Sequence, residues 1–309
     1  MPYWKQRTVA KRVGCAGVGL HSGRPAGLVI APAPADAGVS FVRMDLGVEI
    51  PALAANVVDT TLSTNLGADG ARVSTVEHVL AALVGMGIDD CRVEVDGPEV
   101  PILDGSAAPF VALIREAGVR TLPAGKRFLV IQKPVEVRDG DRSARFEPAE
   151  SLSIAFTADF RHPLVTDQTF RFVFSDREFE REVARARTFC FLRDIEQMRA
   201  MGLARGGSLE NAIVIDEFSI LNPEGLRFPD EFVRHKVLDA LGDLALAGMP
   251  IIGAFRAHKS GHALNQALVT RVLSDPSTFR VVQVSAESQL EPLRIRLPIL
   301  GGAPEGQTA

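Results

Sequence analysis

Phe232-Val-Arg-His-Lys-Val-Leu-Asp-Ala-Leu-Gly-Asp243 has a spacing that decides how the chain is built. His235, Asp239 and Asp243 recur every four residues on a segment that reads as helix from about 230 to 247. At about 100° per residue, side chains four apart return to within roughly 40° of each other, one turn along. An imidazole and a carboxylate therefore leave the same face, which is how a helix offers two ligands to one metal ion. A second segment, Ser74-Thr-Val-Glu-His-Val-Leu-Ala-Ala-Leu83, also reads as helix and carries Glu77 directly before His78. His78-Val-Leu-Ala-Ala-Leu83 is faintly echoed in His235-Lys-Val-Leu-Asp-Ala-Leu241. The echo is too short to establish a duplication. It predicts two packed α+β layers with a metal held between them.

Outward from these helices, both halves read as strands, helix, strand, helix. Gly27-Leu-Val-Ile30, Val39-Ser-Phe-Val42 and the alternating Cys91-Arg-Val-Glu-Val95 are strand-like. Ser74 followed by Glu77 matches a capping box, so the bland reading of Glu77 is a helix cap. Asp104-Gly-Ser106 turns the chain into a helix from about 107 to 117, and Thr121-Leu-Pro-Ala-Gly-Lys126 reads as a linker. Beyond it, Phe128–Gln132 and Pro134–Arg138 look like a hairpin closed by Asp139-Gly140, with further strands near 152–160, 169–174 and 212–215. The division expected is residues 1–124, contributing Glu77 and His78, and residues 125–309, contributing His235, Asp239 and His262. The Gly/Pro/polar tail from Gly301 to Ala309 is expected to be mobile.

Composition narrows the function classes. With 46% hydrophobic and 23% charged residues, the 309-residue chain matches a soluble globular protein. A net charge of −4 argues against general nucleic-acid binding while leaving room for a local cationic pocket. Cys15, Cys91 and Cys190 form no C-x-x-C pair, which predicts a reducing compartment. The basic N-terminus lacks a clean apolar signal core, and the apolar run from Leu244 to Phe255 contains Gly248 and Pro250. That run falls short of the roughly 20 residues a membrane span requires, so a cytoplasmic protein without a transmembrane segment is expected.

Of six histidines, His21, His78, His162, His235, His258 and His262, most would ordinarily be satisfied structural residues. The His235/Asp239 pair, with His78 as third ligand, alters that balance. Two nitrogens and one oxygen suit Zn²⁺ with an open fourth position, and also describe the facial triad of non-haem Fe(II) oxygenases. That triad uses H-x-D and a distant His on strands, against the helical H-x-x-x-D here. Glu77 is the candidate base for a metal-bound water. His262, in Lys259-Ser-Gly-His262, reads as a histidine on a glycine-flexed loop, able to protonate a leaving amine. Asp243 is placed to orient it, the bland alternative being an exposed helix carboxylate. A non-catalytic nucleotide-sugar binder would be expected to lack this acid/base pair.

Seven ordered segments carry a resemblance: Ser74-Thr-Val-Glu-His78, Ile102-Leu-Asp-Gly-Ser-Ala-Ala-Pro-Phe110, Ala186-Arg-Thr-Phe189, Gly206-Gly-Ser208, Leu226-Arg-Phe228, Phe232-Val-Arg-His-Lys236 and Lys259-Ser-Gly-His-Ala263. From about Gln6 to Leu273 the chain resembles the UDP-3-O-acyl-N-acetylglucosamine deacetylases, the zinc enzymes of the committed step in lipid A synthesis. The resemblance implies an α+β, two-domain β-α-α-β sandwich, with helices packed between two sheets and a small insert in each domain. It implies Zn²⁺ on His78, His235 and Asp239, Glu77 as general base, and His262 as general acid beside Asp243. Thr188 and Lys236 would support the polarised acetamide, Arg142 and Lys259 the diphosphate, and Phe160 the uridine. Phe189, Phe191, Leu192 and Ile195, with Leu20, would line an acyl-chain passage that an insert at about 186–215 helps to build, with ordinary helix-face core as the alternative, above all for Phe189. The substrate implied is a UDP-linked acylated glucosamine, bound by a monomer. Three departures concern contacts and leave the reaction class alone. Cys190 stands where glycine is expected, Arg142 where lysine is common, and Ala204 at a passage position that is sometimes cysteine.

Overall fold

The computed structural model describes residues 4–160, 162–293 and 295–297. Six α-helices are named here: α1 (Glu77–Gly85), α2 (Ala108–Ala117), α3 (Asp176–Glu182), α4 (Leu192–Ala200), α5 (Glu231–Ala245) and α6 (His262–Leu273).

Each half builds a five-stranded sheet, and the two share one topology. In the first, Val13–Val18, Pro25–Pro32, Cys91–Val95, Val39–Arg43 and Val48–Pro51 lie side by side. In the second the order is Val135–Asp139, Arg142–Glu147, Ala254–His258, Ser153–Ala158 and Gln168–Val173. The strand latest in sequence enters between two hairpins each time. It runs antiparallel to the first hairpin and parallel to the second. Period-two burial explains the strands: Leu28 and Ile30 point inward from one sheet, Ile154 and Phe156 from the other.

α1 follows the second hairpin of the first half and α5 that of the second, and the two pack on each other. Every described side of α1 except Val84 is buried, as expected of a helix enclosed between layers. α5 and α6 cover the second sheet, while α2 packs on α1 and on Val13–Val18. The order is therefore sheet, helices, helices, sheet, and one apolar core runs through both halves. Each half also carries an insert at the same point, between its second hairpin and α1 or α5. The first is a small sheet of Val57–Asp59, Asn65–Ala68 and Ala71–Val73; the second contains α3, α4 and the parallel pair Phe189–Phe191 and Ile213–Ile215.

Several expectations need correction. Residues 121–126 are no linker but part of a 13-residue strand, Val119–Ile131. Its first part pairs with Lys5–Val9 and its second with Phe279–Val284, and Pro123 falls in an irregularity of the first ladder, where a missing N–H costs little. Asp139-Gly140 does close a hairpin, but between Val135–Asp139 and Arg142–Glu147. Ser74 does not cap α1. Val76 occupies the N-cap, while Ser74 bridges to Glu99 through the backbone and its Oγ accepts from Arg72. His262 opens α6 instead of riding a loop. The tail from Gly301 lies outside the described residues. Among the described residues, no helix is long and apolar enough to cross a membrane.

Candidate metal centre and acid–base pair

The close approach of α1 and α5 creates the site. Gly242 of α5 lies against the backbone of Glu77, so close that a Cβ there would fall 2.1 Å from the Glu77 carbonyl oxygen. This brings the first turn of α1 against the C-terminal half of α5. His78 Nε2 and His235 Nε2 face the same Asp239 oxygen, Oδ1, at 3.6 and 3.2 Å. The three candidate ligand atoms all lie within 4.8 Å of one another, and all three residues are buried. A tetrahedral ion with bonds near 2.0–2.1 Å has ligand–ligand edges of about 3.3 Å, so the spacing fits one metal ion.

The state of these groups fits as well. His235 Nδ1 lies 3.0 Å from the Ala186 carbonyl, so an N–H there donates and leaves the Nε2 lone pair toward the cluster. Burial drives the His235 imidazole down to about 3, keeping it neutral. Burial opposes a charge on Asp239, but the polar neighbours facing it, the His235 and His78 imidazoles and the charged Lys236 ammonium, hold the carboxyl well below its ordinary range. Lys236 Nζ donates to Asp239 Oδ2 at 2.5 Å. A neutral imidazole and an ionised carboxylate, as at His235 and Asp239, are the forms that bind metal.

Beside the cluster stands a carboxylate–imidazole pair. Burial pushes Glu77 up from the usual carboxylate range. Its Oε2 accepts the Thr64 N–H at 3.0 Å and its Oε1 lies 4.0 Å from His262 Nε2. His262 Nδ1 sits 3.0 Å from Asp243 Oδ2. Burial works against a charge on His262, but Asp243 and then Glu77 overcome it and raise the imidazole to about 9. Asp243 is fully enclosed, so the exposed-carboxylate reading fails. Its two oxygens also accept from Thr64 Oγ1 at 2.5 Å and Asn265 Nδ2 at 2.8 Å.

The remaining expected residues fall into separate groups. Phe160, Phe189 and Phe191 form an aromatic cluster with ring centroids 5.2–6.3 Å apart, and Phe189 also lies 6.3 Å from the His235 ring. Phe189 and Phe191 are on a strand, so helix-face core does not describe them. Ile195 is half-buried on α4, and Leu20 packs beside Gly207 of the second insert. Arg142 Nε donates to the Lys259 carbonyl at 3.0 Å, while Lys259 Nζ contacts Asp141 at 2.9 Å and Asp159 at 3.0 Å. Lys259 is therefore already paired with two carboxylates.

Thr188 follows Arg187, whose guanidinium is buried against Glu231 at 2.9 Å and also meets Glu224 at 2.6 Å. The Thr188 N–H donates to Gly105 O, and its carbonyl accepts from Ile213. This fixes the segment whose Ala186 carbonyl holds His235.

Thr64, Asn265 and Ala186 were not found from the sequence. Asn265 stands three residues after His262 on one helix face, a spacing visible once α6 is recognised. Thr64 and the Ala186 carbonyl have no such local signature. A cavity of about 430 Å³ is lined by His21, Ser63, Asn65, Glu99, Met201 and Leu203. A separate apolar cavity of about 170 Å³, walled by Leu80, Leu83, Leu241 and Leu244, contains none of the titratable cluster.

The chain is similar to known proteins over nearly its whole length. Residues 6–274 match the profile of the UDP-3-O-acyl N-acetylglycosamine deacetylase family. The chain is 72% identical over 300 residues to a UDP-3-O-acyl-N-acetylglucosamine deacetylase of Anaeromyxobacter dehalogenans, covering 97% of each chain. It is 58% identical over 302 residues to a protein of the same name from Myxococcus xanthus, covering 97% of this chain and 96% of that one. A third, from Saccharophagus degradans, is 50% identical over 300 residues, covering 96% of this chain and 99% of its own. Profile and identity both extend over nearly the whole sequence, so the chain belongs to the UDP-3-O-acyl N-acetylglycosamine deacetylase family.

Proposed function

We propose that the chain is a zinc-dependent amidase. It removes the N-acetyl group of UDP-3-O-(3-hydroxyacyl)-N-acetylglucosamine, giving acetate and the free amine at the committed step of lipid A synthesis. The observation carrying this reading is that three ligand atoms within 4.8 Å of one another stand beside a carboxylate and an imidazole 4.0 Å apart. His78, His235 and Asp239 would hold Zn²⁺. Bound there, the ion supplies a Lewis acid for the acetamide carbonyl and a water of lowered pKa.

The chain's own groups move the protons. Glu77 takes one from water as a C–O bond forms at the carbonyl carbon; its buried carboxylate, kept by the Thr64 N–H, is raised toward the range a general base needs. The Thr188 hydroxyl and the Lys236 ammonium stabilise the negative oxygen, and one such preorganised donor is typically worth about 3–4 kcal/mol. As the C–N bond breaks, protonated His262 delivers its proton to the glucosamine nitrogen. Asp243, bonded through Nδ1, keeps that imidazole charged and oriented with Nε2 free. Arg142 and Lys259 meet the diphosphate, Phe160 the uridine, and Leu20, Phe189, Phe191 and Ile195 the acyl chain.

The organisation proposed is two domains, 1–124 and 125–309, in a cytoplasmic monomer. The test is release of acetate from the UDP-sugar, with Glu77→Ala as control. Wild-type turnover abolished by the substitution supports the reading, and equal, near-zero rates for both proteins refute it.

A further inference from the structure

We propose that Glu99 is a positioning residue that couples the acyl-chain passage to the catalytic pair, an inference that rests on the function proposed above. Its side chain is only 3% exposed. One oxygen accepts the His21 N–H at 2.7 Å and the Thr75 hydroxyl at 3.2 Å, and the other accepts the Ser22 N–H at 2.8 Å. The backbone of Glu99 is fixed as well, because Ser74 bridges to it, donates to Pro98 O and accepts from Val100 N.

On one side of this carboxylate lies the turn at 19–23, the docking place of the second insert. Arg205 N–H donates to His21 O at 3.2 Å and Gly206 N–H to Leu20 O at 3.0 Å. The backbones touch so closely that a Cβ on Gly206 would lie 2.2 Å from the Gly19 carbonyl, and one on Gly19 would lie 2.2 Å from Glu99 Oε2. Met201 and Leu203 of that insert share a cavity with His21 and Glu99.

On the other side lies Thr75, a β-branched residue held at φ 61°. L-residues of this kind rarely occupy that region, and such a conformation persists only where the surroundings enforce it. Glu99 supplies part of that enforcement through the threonine hydroxyl. Two residues later the chain becomes Glu77 and His78. A displacement of the insert loop therefore reaches the first turn of α1 through a single carboxylate. A misplacement of about 1 Å at reacting groups costs on the order of 100-fold in rate, so an occupied passage is expressed as turnover and not only as affinity.

The experiment compares kcat and KM for the 3-O-acylated UDP-sugar and for UDP-N-acetylglucosamine lacking the acyl chain. It uses wild type, Glu99→Gln and Thr75→Val, with melting temperature and zinc content measured for each. Glu99→Gln keeps the shape but replaces one acceptor oxygen by a donor. The expected result is a loss of roughly 10- to 100-fold in kcat/KM on the acylated substrate, the scale of one buried donor left unmatched, and less than about threefold on the other. Thr75→Val keeps the β-branched shape and both bonds to the 19–23 turn. It is expected to lower kcat on the acylated substrate with KM unchanged, and it provides the reading if Glu99→Gln fails to fold. An equal loss on both substrates, or no loss, overturns the coupling. A wild-type enzyme inactive on the acylated substrate refutes the proposed function instead.

Discussion

Replacing Gly242 by alanine tests whether the contact between α1 and α5 is what assembles the metal site. In an unobstructed helix interior this change is favourable by about 1 kcal/mol, since alanine is the better helix former. Here the new methyl carbon would stand 2.1 Å from the Glu77 carbonyl oxygen and 2.8 Å from its Cα, both backbone atoms that cannot rotate away. Restoring ordinary contact requires the helices to part by about 1 Å, and overpacking of this kind costs typically 1–3 kcal/mol. The expected net effect is a destabilisation of up to about 2 kcal/mol, against the stabilisation that propensity alone would give. His78 rides on α1 while His235 and Asp239 ride on α5, so the same 1 Å far exceeds the roughly 0.2 Å tolerance of metal–ligand distances. Urea unfolding of the metal-free protein measures the first effect; competition with a chromophoric chelator and kcat/KM measure the second. An alanine variant as stable as wild type, with unchanged zinc affinity and turnover, would refute the reasoning.

Other predictions follow from the same geometry. Because Asp243 raises His262 to about 9, activity should fall as pH rises through that value, and Asp243→Asn should move this alkaline limb toward the ordinary histidine value near 6.5. The raised imidazole also contributes stability that is fully present below about 6.5 and lost as pH passes 9; a pH–rate profile identical in the variant would contradict the role of Asp243. Glu231→Ala removes the buried partner of Arg187 and should cost about 3–5 kcal/mol, read as a lower urea midpoint, and a midpoint within error of wild type would sink this estimate. Stripping metal with a strong chelator should abolish acetate release. Added Zn²⁺ should restore it in wild type but not in His235→Ala, and full activity of chelated protein would show that no metal is needed.

What could be read from residues alone was whatever depends on neighbours a turn apart. The four-residue interval from His235 to Asp239 survives because both lie on one helix. The pairing of Glu77 with His78 survives because adjacency needs no fold. Ser74 misled because its local pattern competes with a tertiary partner: its backbone pairs with Glu99, 25 positions away, so the cap moved to Val76. Pro123 and Gly125 misled because an irregular ladder tolerates both. The strand Ala254–His258 enters the middle of a sheet whose other members precede it by about a hundred residues, and no period in the sequence encodes that order. Thr64 reaches Asp243 across 179 positions, beyond any spacing rule.

The strand Val119–Ile131 runs unbroken from the ladder with Lys5–Val9 into the ladder with Phe279–Val284. A crossing made of continuous extended backbone has no connecting loop at which to hinge, so parting the halves at this seam would have to disturb strand pairing. Under the function proposed above, room for a bulky lipid-bearing nucleotide is expected to come from the two appended segments, which carry none of His78, His235 and Asp239.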